Sequence, residues 1–216
     1  MTNINDLKIN KHKKFIFLGD SITEGYGTTG EEKIFHQIIK EKHNLSAAHN
    51  CGISGTRIAK QINASIDHKY DLYFSLRVPI MPKDADAIVV FGGTNDFGHG
   101  DSEMGDINST DIYTFYGGLN CLINNLKDNF PKAQLIFLTP LRRVTEVEPN
   151  QNGKILIDYV NAIIDVTKKY NLPVIDLFRS EIFDPNDTDV LPDGVHPNDK
   201  GHAIMADYIA KELLKI

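Results

Sequence analysis

The chain has 216 residues, 41% of them hydrophobic and 24% charged, with a formal net charge of −6. A chain of this size buries roughly 70–75% of its unfolded surface, enough for one domain with a substantial core. The acidic balance argues against nucleic acid or an anionic membrane as the main partner, and no run reaches the ~18 apolar residues of a membrane helix.

The opening stretch MTNINDLKINKHKKF is polar and has no apolar signal core. Residues 1–13 therefore read as a polar extension, and a cytoplasmic location is expected. The two cysteines, Cys51 and Cys121, fit neither a disulfide framework nor a zinc pattern. They read as buried, reduced thiols, Cys51 in a strand and Cys121 in a helix.

Short apolar runs then alternate with helical patterns. Residues 14–18 read as a strand. Residues 31–43 read as a helix with Ile34, Phe35, Ile38 and Ile39 on one face. Residues 47–51 form a weak second strand. Residues 65–82 are less regular, a helix plus a loop, with Arg77 and its neighbouring prolines near the surface. The run AIVVF, Ala87–Phe91, is apolar throughout with a β-branched centre, as in a strand buried on both faces. A long helix follows over 111–129, ended by Pro131. Then come a strand at 134–138, a helix at 154–170, a strand at 174–177 and a last helix at 200–214. Such alternation implies right-handed crossovers and a parallel sheet covered on both faces. The expected fold is α/β, a flavodoxin-like three-layer α/β/α sandwich on a five-stranded parallel sheet.

In such a sheet, ligands bind at the carboxyl ends of the strands. The segments there read GDSITEG, GISGTR, GGTNDFGHG, TPLRR and LPDGVHPND. Gly25 to Gly30 spells G-x-G-x-x-G, but it follows its strand too late for a dinucleotide fingerprint. The next strand, AAHNC, also ends without the required acid. These glycines read as a flexible turn. His196 with Asp193, or His99 with Asp96 and Asp101, lacks metal-ligand spacing. No metal or other cofactor is expected, and His99 reads as a solvated loop histidine.

Nucleophilic hydrolysis accounts for more of these residues. A serine hydroxyl needs a base, and the base needs an orienting carboxylate. Ser21 follows the first strand; Asp193 and His196 lie three apart on one turn, before Asn198 as a helix cap. Backbone or amide donors for an oxyanion can come from Ser21, from Gly55 and from Asn95. Each residue also has a plainer reading: Ser21 as a cap, Gly55 as a turn glycine, Asn95 as an Asx-turn, His196 as a surface residue. Their meeting on one sheet edge favours the chemical reading.

Gly19-Asp20-Ser21-Ile22, a glycine in the second loop, Gly92-Gly93-Thr94-Asn95-Asp96 and Asp193-x-x-His196 together resemble the blocks of the GDSL esterases, the SGNH hydrolase superfamily. The resemblance spans residues 14 to 202. It reads Ser-Ile where the family name has Ser-Leu. It implies a single catalytic domain over 14–216, with Ser21 as nucleophile and Asp193 and His196 completing a triad. Ser21, Gly55 and Asn95 become the oxyanion donors, with Gly52 the nearby competitor of Gly55. Asp20 is expected to organise its loop, and Thr94 and Asp96 to brace Asn95. There is no G-x-S-x-G elbow of the α/β-hydrolase kind.

No long apolar insertion suggests a lid or an acyl tunnel. The expected substrate is a small acyl ester of short chain, with an acetylated carbohydrate first. A lysophospholipase, an acyl-thioesterase or a catalytically silent binding module are the alternatives. Phe97, Arg142 and Arg143 are expected to border the pocket for the alcohol, Phe97 as a stacking surface. The oligomeric state is not legible in the sequence.

Overall fold

The structure is a computed structural model and describes residues 13–216. The polar extension assigned to residues 1–13 lies outside the described residues, apart from Lys13.

The strands are β1 (Lys14–Gly19), β2 (Ala47–Gly52), β3 (Ala87–Phe91), β4 (Gln134–Leu138) and β5 (Val174–Ile175). They lie in the order β2-β1-β3-β4-β5, every pair parallel. That is the flavodoxin-like order, with its switch point at β1 and β3. Side chains alternate across the strands. Phe15 and Phe17 face one way, with Ala87, Val89 and Phe91, and Ile16 and Leu18 the other, with Ile88 and Val90. This is why the central strands read as unbroken apolar runs.

Two cores result, one on each face. On the first lie α2 (Phe35–His43) and α7 (Asp199–Leu213), packed together through Phe35, Ile39, Met205 and Ile209. On the second lie α3 (Phe74–Arg77), α5 (Phe115–Asn129) and α6 (Leu156–Lys169), with Phe74, Phe115, Leu119 and Tyr159 inside. Each fully buried Phe or Leu contributes about 1.5–3 kcal/mol relative to exposure. The expected three-layer sandwich is therefore the observed one. Among the described residues, no helix is long and apolar enough to cross a membrane.

Several boundaries differ from the sequence expectation. The helix over 31–43 is broken at Ile34, whose backbone is extended (ψ 136°), between a 3₁₀ turn (Glu31–Lys33) and α2. Helix α5 begins at Phe115, because Thr114 caps it by accepting from the Gly117 N–H at 3.2 Å. The fifth strand pairs only over Val174–Ile175. Asn198 caps α7 as expected. Residues 65–82 are the largest correction. The expected helix is there, and Pro79 and Pro82 are exposed as expected, but Phe74 and Val78 are fully buried and Arg77 is 4% exposed, so these three pack inward rather than at the surface. Cys51 and Cys121 are free thiols, half-buried rather than fully buried.

Candidate active site

The order β2-β1-β3 places the segments after these three strands side by side, with the β1 segment in the middle. β1 ends at Gly19, where a Cβ would lie 2.0 Å from Thr23 Oγ1 and 2.8 Å from the Phe91 carbonyl. Only glycine allows so tight a passage from strand to helix. Asp20 then caps α1 (Ser21–Glu24), its Oδ1 accepting from the Ile22 N–H at 3.1 Å. Burial pushes the Asp20 carboxyl up to about 7. Its expected role as loop organiser fits this placement.

Ser21 opens α1 and is 5% exposed. Its Oγ lies 2.9 Å from His196 Nε2. His196 Nδ1 lies 2.7 Å from Asp193 Oδ2. The other oxygen, Asp193 Oδ1, accepts from the N–H groups of Val195 at 2.9 Å and His196 at 2.7 Å. Partial burial would raise the Asp193 carboxyl, but the hydrogen bonds from His196 and Val195 hold it below the ordinary carboxylate value. With that carboxylate ionised, the imidazole proton sits on Nδ1. Nε2 then presents its lone pair to the serine hydroxyl. Gly194 makes the turn at φ +75°, and a Cβ there would meet Val144 at 2.4 Å. The exposed ring of Tyr26 lies against His196, centroids 4.6 Å apart. The G-x-G-x-x-G stretch flanks this contact: a Cβ on Gly27 would meet the Pro197 carbonyl at 2.7 Å. Thr29 ties the same stretch to Asp199 at the start of α7. It is a turn beside the site, as expected.

Gly52 and Gly55 are distinguished by their backbones. The Gly52 N–H donates to Asn50 Oδ1 at 2.9 Å, and a Cβ there would strike the backbone of Glu24. The Gly55 N–H has no partner among the described residues, nor does that of Ser21. Gly55 sits at φ +75°, under the ring of Tyr70, which a Cβ would meet at 2.3 Å. Asn95 lies in α4 (Thr94–His99), a helix the sequence reading treats as loop. Its Nδ2 donates to the Thr56 carbonyl at 3.0 Å, leaving the second N–H of the amide.

The bracing of Asn95 differs from expectation. Thr94 is held by Arg143, whose Nη1 donates to Thr94 Oγ1 at 3.1 Å. Asp96 instead grips the segment after β2, accepting from the N–H groups of Ile58 at 3.0 Å and Ala59 at 2.9 Å. Its burial raises that carboxyl to about 6. Thr56 and His99 hold Asn95. His99 is not a free loop histidine: its residue surface is exposed, but both ring nitrogens are hydrogen bonded.

Phe97, Arg142 and Arg143 are not among the residues lining the cavity beside Tyr70 and His99. Phe97 is 4% exposed in the second core, against Tyr159 and beneath the Arg143 guanidinium, so it offers no face for stacking. Arg142 is paired with the buried Glu146 at 2.6 Å. Arg143 cross-links the segments after β3 and β4 through Thr94. That cavity, about 560 Å³ in volume, is lined by Arg57, Gln61, Asn63, Tyr70, His99 and Asp101 among others. Tyr70 covers Gly55 and His99 bonds Asn95, so the cavity adjoins these two donors.

Arg77 is a buried residue that sequence reasoning puts outside. It donates to the carbonyls of Cys51 at 2.7 Å and Gly19 at 3.0 Å and to Thr56 Oγ1 at 3.1 Å. It thus clamps the ends of β1 and β2. Desolvation lowers its guanidinium to about 10. Among the described residues, no group of three or more His, Cys, Asp and Glu side chains is placed to hold a metal ion.

A parallel α/β sandwich with a serine, histidine and aspartate in hydrogen-bonded series at its carboxyl edge defines a class of hydrolase folds. The profile of the GDSL-like lipase/acylhydrolase family matches residues 17–204, and the chain belongs to that family. A solved protein from Lactobacillus plantarum is 31% identical, with a TM-score of 0.77 over 94% of this chain and 97% of that one. An acetyl xylan esterase shares the fold at 23% identity, with a TM-score of 0.65 over 92% of this chain and 98% of its own. The lipase/acylhydrolase from Enterococcus faecalis does so at 21% identity, with a TM-score of 0.65 over 94% and 96%. No curated protein matches the chain.

Proposed function

We propose that the protein is a serine esterase that hydrolyses short-chain acyl esters, with an acetylated carbohydrate or similar polar alcohol as its substrate. The Ser21–His196–Asp193 series, at 2.9 Å and 2.7 Å, carries this reading. His196 takes the Ser21 proton as Oγ attacks the ester carbonyl. Asp193 holds the imidazole and stabilises the imidazolium. The N–H groups of Ser21 and Gly55 and the Asn95 amide receive the oxyanion. His196 then returns its proton to the departing alcohol. Water, deprotonated by the same imidazole, releases the acid from the acyl-enzyme.

The polar substrate reading is supported by the cavity beside Gly55 and Asn95. Its volume of about 560 Å³ lies within the usual range of small-molecule sites. Polar side chains such as Gln61, Asn63 and Asp101 line it, and Tyr70 adds an aromatic ring. One observation favours a second reading, a lysophospholipase or acyl-thioesterase. Ile66, at the same cavity, is 105% exposed, an apolar edge that an acyl chain can use. An aryl-ester series from acetyl to dodecanoyl, followed by a screen of acetylated sugars, decides between them. The first reading predicts kcat/KM highest for acetyl and falling by octanoyl. A maximum at long chains supports the second.

A further inference from the structure

We propose that His99 is a positioning residue which, fixed by Arg57, locks the Asn95 amide with its N–H groups facing the reacting oxygen. The proposal rests on the esterase reading above. Each bond in this series has its direction set by chemistry. Arg57 Nη2 lies 2.5 Å from His99 Nδ1. A guanidinium can only donate, so Nδ1 must be the acceptor. A neutral imidazole then carries its one proton on Nε2. That nitrogen lies 3.0 Å from Asn95 Oδ1 and donates to it.

The amide is thereby assigned from both ends. Its oxygen takes the histidine proton, and its nitrogen faces the Thr56 carbonyl at 3.0 Å with one N–H to spare. Reversing the amide would set Nδ2 against a donor and Oδ1 against a carbonyl. Desolvation, with Arg57 and Arg143 nearby, lowers the His99 imidazole to about 4 and keeps it neutral near pH 7. Arg57 is itself held in place: it is 5% exposed and also donates to the His99 carbonyl at 3.2 Å. A donor series of this kind polarises its last N–H as well as orienting it.

The test uses two substitutions that separate the ring nitrogens. The side-chain amide of Asn reaches the Nδ1 position, and that of Gln reaches Nε2. His99→Asn therefore keeps the Arg57 contact and loses Asn95, whereas His99→Gln restores a donor to Asn95. On an aryl acetate, His99→Asn should lower kcat about 10–100-fold with KM little changed, since losing an oxyanion donor outright costs about 10²–10³-fold. His99→Gln should recover most of that loss. In an Asn95→Ala background, His99→Asn should cost nothing further, because its route of action is gone. His99→Leu, which keeps bulk and removes both bonds, should match His99→Asn. Unchanged kcat in His99→Asn, an equal loss in His99→Gln, or a full multiplicative loss in the double variant would overturn the proposal. A crystal structure of His99→Asn reads the same point without turnover. A rotated or multiply placed Asn95 supports the proposal, and an unmoved Asn95 overturns it. Wild-type protein inactive on every ester would instead count against the esterase reading itself.

Discussion

At the residue scale, the site depends on groups that touch no substrate. Arg77 donates to the carbonyls of Cys51 and Gly19 and to the Thr56 hydroxyl at the ends of β1 and β2, the Gly19 carbonyl also accepting from the Ile53 N–H. Leaving a buried acceptor unpaired costs about 1–3 kcal/mol. Arg77→Met should therefore lower stability by about 1–3 kcal/mol in denaturant unfolding and reduce kcat as well. A variant that unfolds at the wild-type midpoint would show that these bonds are dispensable. On the proposed mechanism Asp193 acts differently, through the tautomer of His196. Asp193→Asn should lower kcat by about 10³–10⁴-fold with little change in KM or melting. Retention of kcat within tenfold would leave the carboxylate without its proposed role. The sequence shows Ser21, Asn95, Asp193 and His196 because each sits in a short local pattern after a strand. It does not show Arg77 or His99 at work: Arg77 reaches back to Gly19, 58 residues away, and His99, though four residues from Asn95, is fixed by Arg57, 42 residues away. Phe97 misleads for a related reason: its neighbours in sequence are polar, but α4 turns its ring into the second core.

At the element scale, α2 and α7 are joined by a buried histidine. His202 Nδ1 accepts from the Phe35 N–H at 3.2 Å, and the side chain is fully buried. Desolvation, with His36 nearby, lowers its imidazole to about 4. An unfolded chain, with an ordinary histidine value near 6.5, takes up the proton first. The contribution of His202 to stability is then complete above about pH 6.5 and is lost as the pH falls toward 4. The buried Asp20 and Asp96, raised to about 7 and 6, act with the opposite sign over the same range. The difference between wild type and His202→Asn isolates the histidine. Asn can still accept from Phe35 and does not titrate, so the variant should lose less stability between pH 6.5 and 4. Parallel melting curves for the two proteins would contradict this. The elements themselves were legible from periodicity, and their ends less so. A 3.6-residue pattern runs through Ile34, and only the extended backbone there splits the helix. Helix α4 escapes notice because its six residues include Gly98 and carry no apolar stripe.

At the scale of the whole molecule, strand order does the assembling. β1 lies between β2 and β3, so Ser21, Gly55 and Asn95 emerge from adjacent strands. The alternation of strands and helices in the sequence is enough to place them on one edge. The cavity is not legible in this way, since its wall comes from residues 57–70, which carry no regular pattern. Among the described residues no acidic or histidine cluster suits a metal ion. The proposed serine mechanism needs no metal, so excess chelator should leave ester turnover unchanged, and inactivation reversed by a divalent cation would require a metal in the mechanism. The central claim is that Ser21 is the nucleophile, and the steady-state rate of Ser21→Ala on an aryl acetate tests it most directly. The account predicts a fall in kcat of at least ~10³-fold in a protein that folds and melts like wild type. A Ser21→Ala protein that turns over within tenfold of wild type would contradict it.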